Sequence, residues 1–199
     1  MSDRGGAGEG GSLLLARGVR LERVTLGWNV VGVIVLGWSA LAARSVALAG
    51  FGLDSLIEIG ASTVVLWELA ATGVERQRRA LRFIGVAFVA LSAYIAVQST
   101  VVLASGYHAA HSITGIVWTG ATAVVMFVLA AAKSSTGRAL DNPVLQTEGR
   151  VTFVDGLLAS AVLVGLMLNV MVGAWWADPL AGYVIVFYGT KEALSIFRP

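Results

Sequence analysis

Three acidic residues stand inside long apolar stretches of the sequence, where ionised side chains are costly. Asp54 and Glu58 lie in one such stretch, and Asp155 lies in another. Insertion scales put the cost of a charge at the centre of a membrane helix at about 2.5–3.5 kcal/mol per residue. Because apolar substitution would remove that cost, we expect these acids to be kept for function.

The spacing of the acids predicts a metal site. Asp54 and Glu58 are four residues apart, which places both on one helix face, one turn apart. Two carboxylates this close resist ionising together unless a cation lies between them. Asp155 adds an oxygen from another helix, and Thr152 presents a hydroxyl on the same face as Asp155. The chain has no cysteine, so an oxygen-rich site for Mn, Fe or Zn is predicted, at which protons compete with the metal.

The alternative interpretation is that the acids pair with buried basic side chains. We find no Lys, Arg or His at the middle of any apolar stretch and assign Lys133 to a loop. The metal site is therefore the favoured hypothesis.

The composition requires a membrane protein. Of the 199 residues, 57% are hydrophobic and 13% charged, and the mean hydropathy is +0.80, unlike a soluble domain. A membrane helix needs roughly 20 apolar residues, and six such stretches are present: 24–43, 45–70, 80–103, 113–132, 151–172 and 175–197. We predict an all-α bundle of six transmembrane helices over residues 13–199, preceded by a disordered Gly-rich tail at residues 1–12. An amphipathic lead-in helix at residues 13–23, lying at the membrane face, is predicted to precede the first transmembrane helix.

The basic residues predict the orientation. If the N-terminus is cytoplasmic, all of the 14 Lys and Arg residues except Arg44 fall on the cytoplasmic side, as the positive-inside rule requires. Both termini are then cytoplasmic. The basic clusters flank apolar spans, so the expected partner is the lipid bilayer and not nucleic acid. The Arg-rich composition favours a bacterial chain in the cell (inner) membrane.

The segments that carry the acids resemble the cation diffusion facilitator family, also called the cation efflux family. SVALAGFGLDSLIEIGAS, which starts at Ser45, is similar to the second helix of that family. EGRVTFVDGLLASAVLVGL, from Glu148, and WWADPLAGYVIVFYGTKEA, from Trp175, are similar to the fifth and sixth helices. The resemblance covers all six spans. It implies a divalent cation exporter with two ligands from the second helix and two, four residues apart, from the fifth.

The sequence departs from that family at the predicted site. Asp54, Glu58 and Asp155 match by position, but the fourth position holds Val151. Asn29, Thr152 or water could supply the fourth ligand instead. Glu58 also stands where aspartate is more usual, which leaves the choice between zinc and other metals open.

The resemblance also bears on assembly. Family members commonly continue into a cytoplasmic dimerisation domain, and we expect a member with the transmembrane domain only. Any homodimer would then form through membrane helices. The small-residue pairs Gly156/Ser160 and Ala161/Gly165 permit close helix packing, which we interpret as packing within one bundle rather than between subunits.

Three further residues are weaker candidates. His108 and His111 lie in the loop after the third span and would either catch a metal at the outer exit or serve as interfacial polar residues. Glu148, seven residues before Asp155, would either line a funnel at the cytoplasmic mouth or neutralise Arg150.

The expected function is proton-coupled efflux of a divalent metal by alternating access. An enzyme is disfavoured, because no nucleophile with a base and no HExxH pair occurs. The metal is the substrate, and no prosthetic group is expected. The alternative is a degenerate family member that does not transport and acts as a membrane scaffold or metal sensor, for which Val151 is the best support.

Overall fold

The protein is a bundle of α-helices. The structure, a computed structural model, describes residues 5–43, 46–70, 73–106 and 112–197, and the regular secondary structure in these ranges is all helical. The helices are α1 (Gly5–Ala43), α2 (Val46–Leu69), α3 (Val74–Ser105), α4 (Ile113–Ala139), α5 (Pro143–Val172) and α6 (Ala177–Phe197). The predicted all-α architecture is confirmed.

Four of these helices are long and apolar enough to cross a membrane, judged by length and composition over the described residues: α1, α3, α4 and α5. α2 carries three acidic residues within 24. That the bundle crosses the bilayer six times, with both termini in the cytoplasm, remains a prediction.

The helices are longer than the apolar stretches. α4 continues to Ala139, seven residues past the predicted end, and α5 begins at Pro143, eight residues before the predicted start. Proline suits the first turn of a helix, and Asn142 caps α5 by accepting a hydrogen bond from the Leu145 N–H at 2.8 Å. Hydropathy marks the apolar part of a helix and not its ends, so Lys133 lies inside α4 rather than in a loop.

The start of the chain also differs from the prediction. Residues 5–12, which we expected in a disordered tail, are the first turns of α1. Extending an existing helix needs no new nucleation, which is the costly step. The lead-in and the first span therefore form one continuous helix.

The bundle is organised around three closely packed pairs: α1 with α2, α4 with α5, and α3 with α6. α1 also packs against α4, and α2 against α5. Trp28 of α1 stacks on Trp118 of α4 with ring centroids 4.8 Å apart, and its Nε1 donates to Thr122 Oγ1 at 3.1 Å. These contacts bring α1, α2, α4 and α5 together around one interior.

Glycines allow α4 and α5 to approach each other closely. A Cβ atom on Gly137 would lie 2.7 Å from the backbone nitrogen of Gln146, and one on Gly149 would lie 2.9 Å from that of Ser134. A Cβ atom on Gly156 would meet Phe127 of α4 at 3.0 Å. Gly156 thus serves packing within the bundle, as expected.

The outer surface carries large apolar side chains. Trp38, Leu41 and Val124 are among those exposed. An apolar exterior of this kind suits a lipid environment, which agrees with the composition.

Candidate cation site

The three acids predicted to act together lie in the interior of the bundle. Asp54 and Glu58 on α2 and Asp155 on α5 are at most 2% exposed. α2 packs against α5, and each of the three carboxyl groups is close enough to act electrostatically on another of them. The helix spacing that we read from the sequence therefore places the acids on facing surfaces of two neighbouring helices.

Most of the oxygens in this group have no hydrogen-bond donor. Both oxygens of Asp54, both of Glu58 and Oδ2 of Asp155 are buried without a donor among the described residues. The carboxyl groups of Asp54 and Asp155 are close enough to each other to share a proton. Buried polar atoms are nearly always hydrogen-bonded, because an unpaired one costs free energy. Five such oxygens on two helices that pack together can accept protons or, once the side chains turn toward one point, bind a cation.

The acids are neighbours rather than a finished metal cage. In the described ranges, no three Asp, Glu or His side chains stand together closely enough to hold a metal ion. Binding a metal at these residues would require new side-chain rotamers that turn the carboxylates toward one point.

One fully buried basic residue corrects the sequence interpretation. Lys133 of α4 is 0% exposed, and its Nζ donates to Glu22 Oε2 at 3.1 Å and to Glu148 Oε1 at 3.1 Å. Our assignment of Lys133 to a loop was wrong, because α4 does not end where its apolar run ends.

Two of the additional candidates are bound to this lysine. Glu148 was expected to line a funnel or to neutralise Arg150, but the structure pairs it with Lys133. Thr152, a predicted fourth ligand, accepts a hydrogen bond from Lys133 Nζ at 3.0 Å. Arg150 is an exposed residue, and its guanidinium donates to Thr147 Oγ1 at 2.9 Å.

Asn29, the other predicted fourth ligand, is buried on α1. Its Nδ2 donates to the carbonyl oxygen of Thr25 at 3.1 Å. Asn29, Thr25 and Glu22 are four and three residues apart and therefore share one face of α1. That face is polar and buried along two turns.

Val151 supplies no polar group to the site. Its side chain is 3% exposed and belongs to the apolar core. His108 and His111, together with Arg44, lie outside the described residues.

Three charged residues whose burial was not predicted from the sequence are Glu22, Lys133 and Glu68. Glu22 stands between arginines and was read as part of an amphipathic surface. Lys133 stands alone among small and apolar residues in AAAKSS, which could have marked it as buried. Glu68 is hydrogen-bonded to Asn142, whose Nδ2 donates to Glu68 Oε2 at 3.1 Å. This contact was not predicted from the sequence.

These features define a class: an α-helical membrane protein with unpaired acids buried between its helices. Residues 80–199, more than half of the chain, match the family model of the cation efflux transmembrane domain. The protein belongs to the cation efflux family, as the resemblance indicated. The matched residues run from α3 to the end of the chain, so Asp54 and Glu58 on α2 lie outside the match. No curated protein matches the chain.

Membership of this family assigns the general activity. The chain is a multi-pass membrane protein. The members of its family are transporters of metal cations rather than enzymes.

Proposed function

We propose that this protein exports divalent metal cations through a site formed by Asp54, Glu58 and Asp155. The observation that carries the proposal is the set of five buried carboxyl oxygens without hydrogen-bond donors, on two helices that pack together. Oxygens with no donor of their own are available to a cation. The site is within a chain of the cation efflux family.

Proton exchange follows from the same oxygens. Three carboxyl groups in a buried space cannot all stay ionised and empty, because they repel each other and are poorly solvated. A divalent cation or protons must neutralise them. Metal binding then releases protons, and protons that enter from the opposite side of the membrane displace the metal. The site opens alternately to the two sides, as a binding site between rocking helices does.

The ligand set supports a hard or borderline divalent metal. Carboxylates suit Mn, Fe and Zn, and the chain has no cysteine to supply a thiolate. Because Val151 is apolar and Thr152 is hydrogen-bonded to Lys133, we assign the fourth position to Asn29 or water. Such a site, with oxygen as its main ligand atom, favours zinc less strongly than a site with an imidazole does.

The setting that we propose is the inner membrane of a bacterial cell, with both termini in the cytoplasm. Export then runs from the side of the basic residues to the side of Arg44. A homodimer would form through the exposed apolar faces of the helices.

The test is metal uptake into proteoliposomes under an imposed pH gradient, measured for Zn, Mn, Fe, Co and Cd. We expect the parent protein to transport at least one of these metals and expect Asp54→Asn and Asp155→Asn to abolish transport. The matched control is Glu75→Gln, since Glu75 is an exposed acid paired with Arg79 at 3.2 Å. Full transport by both site variants would refute the site.

A second candidate function is supported by Val151, which leaves the site one side chain short. A protein that binds metal at the three acids but moves none across the liposome membrane would be a sensor or scaffold. Equilibrium metal binding measured on the same proteoliposome preparation separates the two functions.

A further inference from the structure

The fully buried lysine lies in an oxygen-lined site of its own. Lys133 Nζ is 3.1 Å from Glu22 Oε2, 3.1 Å from Glu148 Oε1 and 3.0 Å from Thr152 Oγ1. An ammonium group has three N–H donors, and these three oxygens use all of them. The oxygens come from α1 and α5, whereas the lysine comes from α4.

The oxygens around the lysine exceed what one ammonium can satisfy. Glu22 Oε1 and Glu148 Oε2 are buried and have no hydrogen-bond partner among the described residues. The Ser62 hydroxyl of α2 lies beside Glu22. With both carboxylates ionised, a single ammonium leaves one negative charge in excess, and a divalent cation in the same place would match the two carboxylates.

We infer that Glu22, Glu148 and Thr152 form a second cation site, and that the Lys133 ammonium occupies it as a cation tethered to the chain. The ligands are all oxygens from carboxylates and a hydroxyl, so the class of cation that fits is a hard divalent ion such as Mn²⁺ or Mg²⁺. The Lys133 ammonium therefore competes with such an ion for the same three oxygens.

This second site adjoins the acid group on α2 and α5, because Glu148 and Glu22 act electrostatically on Glu58. Glu148 and Asp155 are seven residues apart on α5, about 10 Å along the helix axis. Glu148, Thr152 and Asp155 nevertheless share one helix face, and Lys133 acts electrostatically on both Glu58 and Asp155. The Lys133 ammonium thus lies beside the group of Asp54, Glu58 and Asp155, on the side nearer to the connection between α4 and α5.

The test is a calorimetric titration of the full chain in detergent with Mn²⁺ alone. Lys133→Met removes the ammonium and keeps a side chain of similar length. We expect Lys133→Met to bind one more Mn²⁺ per chain than the parent protein. The added site should be absent from Lys133→Arg, which keeps the charge, and from the double variant Lys133→Met/Glu148→Gln, which lacks one carboxylate.

An unchanged stoichiometry in Lys133→Met would overturn the inference, since the two glutamates would then be neutralised by protons alone. Removing one partner of a buried ion pair is strongly destabilising, so a second variant and a second measurement are included. Lys133→Gln keeps two donors without the charge. A cation that binds the folded state stabilises it by mass action, so saturating Mn²⁺ should raise the melting temperature of Lys133→Gln more than that of the parent. An equal rise in both proteins counts against the second site.

The result is separable from the proposed transport function. In Asp54→Asn/Lys133→Met, the added Mn²⁺ should still bind, because its ligands are on α1 and α5. If the parent protein transports none of the five metals while Lys133→Met gains the Mn²⁺ site, transport is refuted and the second site stands. If the parent protein transports metal but Lys133→Met binds no additional Mn²⁺, the second site is refuted and the transport function stands.

Discussion

Asn142 Nδ2 donates to Glu68 Oε2 at 3.1 Å, and the same side chain accepts the Leu145 N–H through its Oδ1. Glu68 is fully buried near the end of α2, and Asn142 is the N-cap of α5. One amide side chain thereby joins the end of α2 to the start of α5. These are the two helices that carry the predicted cation ligands, so this contact sets where the acids stand relative to each other.

Asn142→Ala should destabilise the protein substantially. The variant loses an N-cap, worth about 0.5–2 kcal/mol, and leaves a buried carboxylate without its donor, a loss of about 1–3 kcal/mol. We expect a clear drop in melting temperature in detergent. The control is Ser112→Ala, since Ser112 caps α4 by accepting the Gly115 N–H at 3.0 Å. Equal melting temperatures for the two variants would show that the contact with Glu68 contributes nothing.

Gly149→Ala should disturb the α4–α5 interface. The added methyl group would lie 2.9 Å from the backbone nitrogen of Ser134, and backbone cannot move aside as a side chain tip can. Overpacking of this kind costs about 1–3 kcal/mol. Gly120→Ala is the matched change on α4, where the nearest atom, of Leu163, is 3.6 Å away. Melting temperatures of both variants in one detergent check the prediction, which fails if Gly120→Ala is the more damaging change.

Val151→His should add a fourth ligand beside Asp155. The two positions are one turn apart on α5, and Val151 is buried. An imidazole favours borderline ions, so zinc affinity should rise relative to manganese in a direct titration. Metal and proton compete for the imidazole nitrogen, so the gain should fade as the pH falls through about 6.5, the ordinary pKa of histidine.

Val151→Leu is the control, because it alters the size of the side chain without adding a ligand. If Val151→His binds both metals as the parent does at every pH, position 151 does not face the site, and Asn29 becomes the better fourth ligand.

The orientation can be tested by cysteine labelling, since the natural chain has no cysteine. Ala139→Cys, at the exposed end of α4, should be labelled from the cytoplasm. Trp176→Cys, in the connection between α5 and α6, should be labelled from outside. Both reactions are measured with a membrane-impermeant thiol reagent on intact cells and on inverted vesicles. Reversed labelling would invert the proposed direction of export.

The helices of this protein were predictable because their apolar residues run on for about 20 positions, as a lipid environment demands. Their ends were less accurately predicted. Small and polar residues in AAAKSSTGRA continue α4 past its apolar run, and the capping residue Asn142 rather than hydropathy fixes the start of α5.

The acids Asp54, Glu58 and Asp155 were predictable as a group because acids are conspicuous in apolar helices. The partners of Lys133 were not, because Glu22, Lys133 and Glu148 are distant in the chain and meet only when α1, α4 and α5 pack together. Helix periodicity predicts which residues share a face of one helix. It does not predict which faces of different helices meet.

The contact between Glu22 and Lys133 has a consequence for how the protein is made. The two residues are 111 positions apart, so the ribosome synthesises the lysine roughly 6 to 22 seconds after the glutamate at about 5–20 residues per second. During that interval the Glu22 carboxylate has no ammonium to neutralise it. The start of α1 must therefore stay at the membrane surface, or carry a proton, until α4 arrives. The assembly of this bundle therefore includes a charge-pairing step, in which the later helix α4 completes the burial of Glu22 on the earlier helix α1.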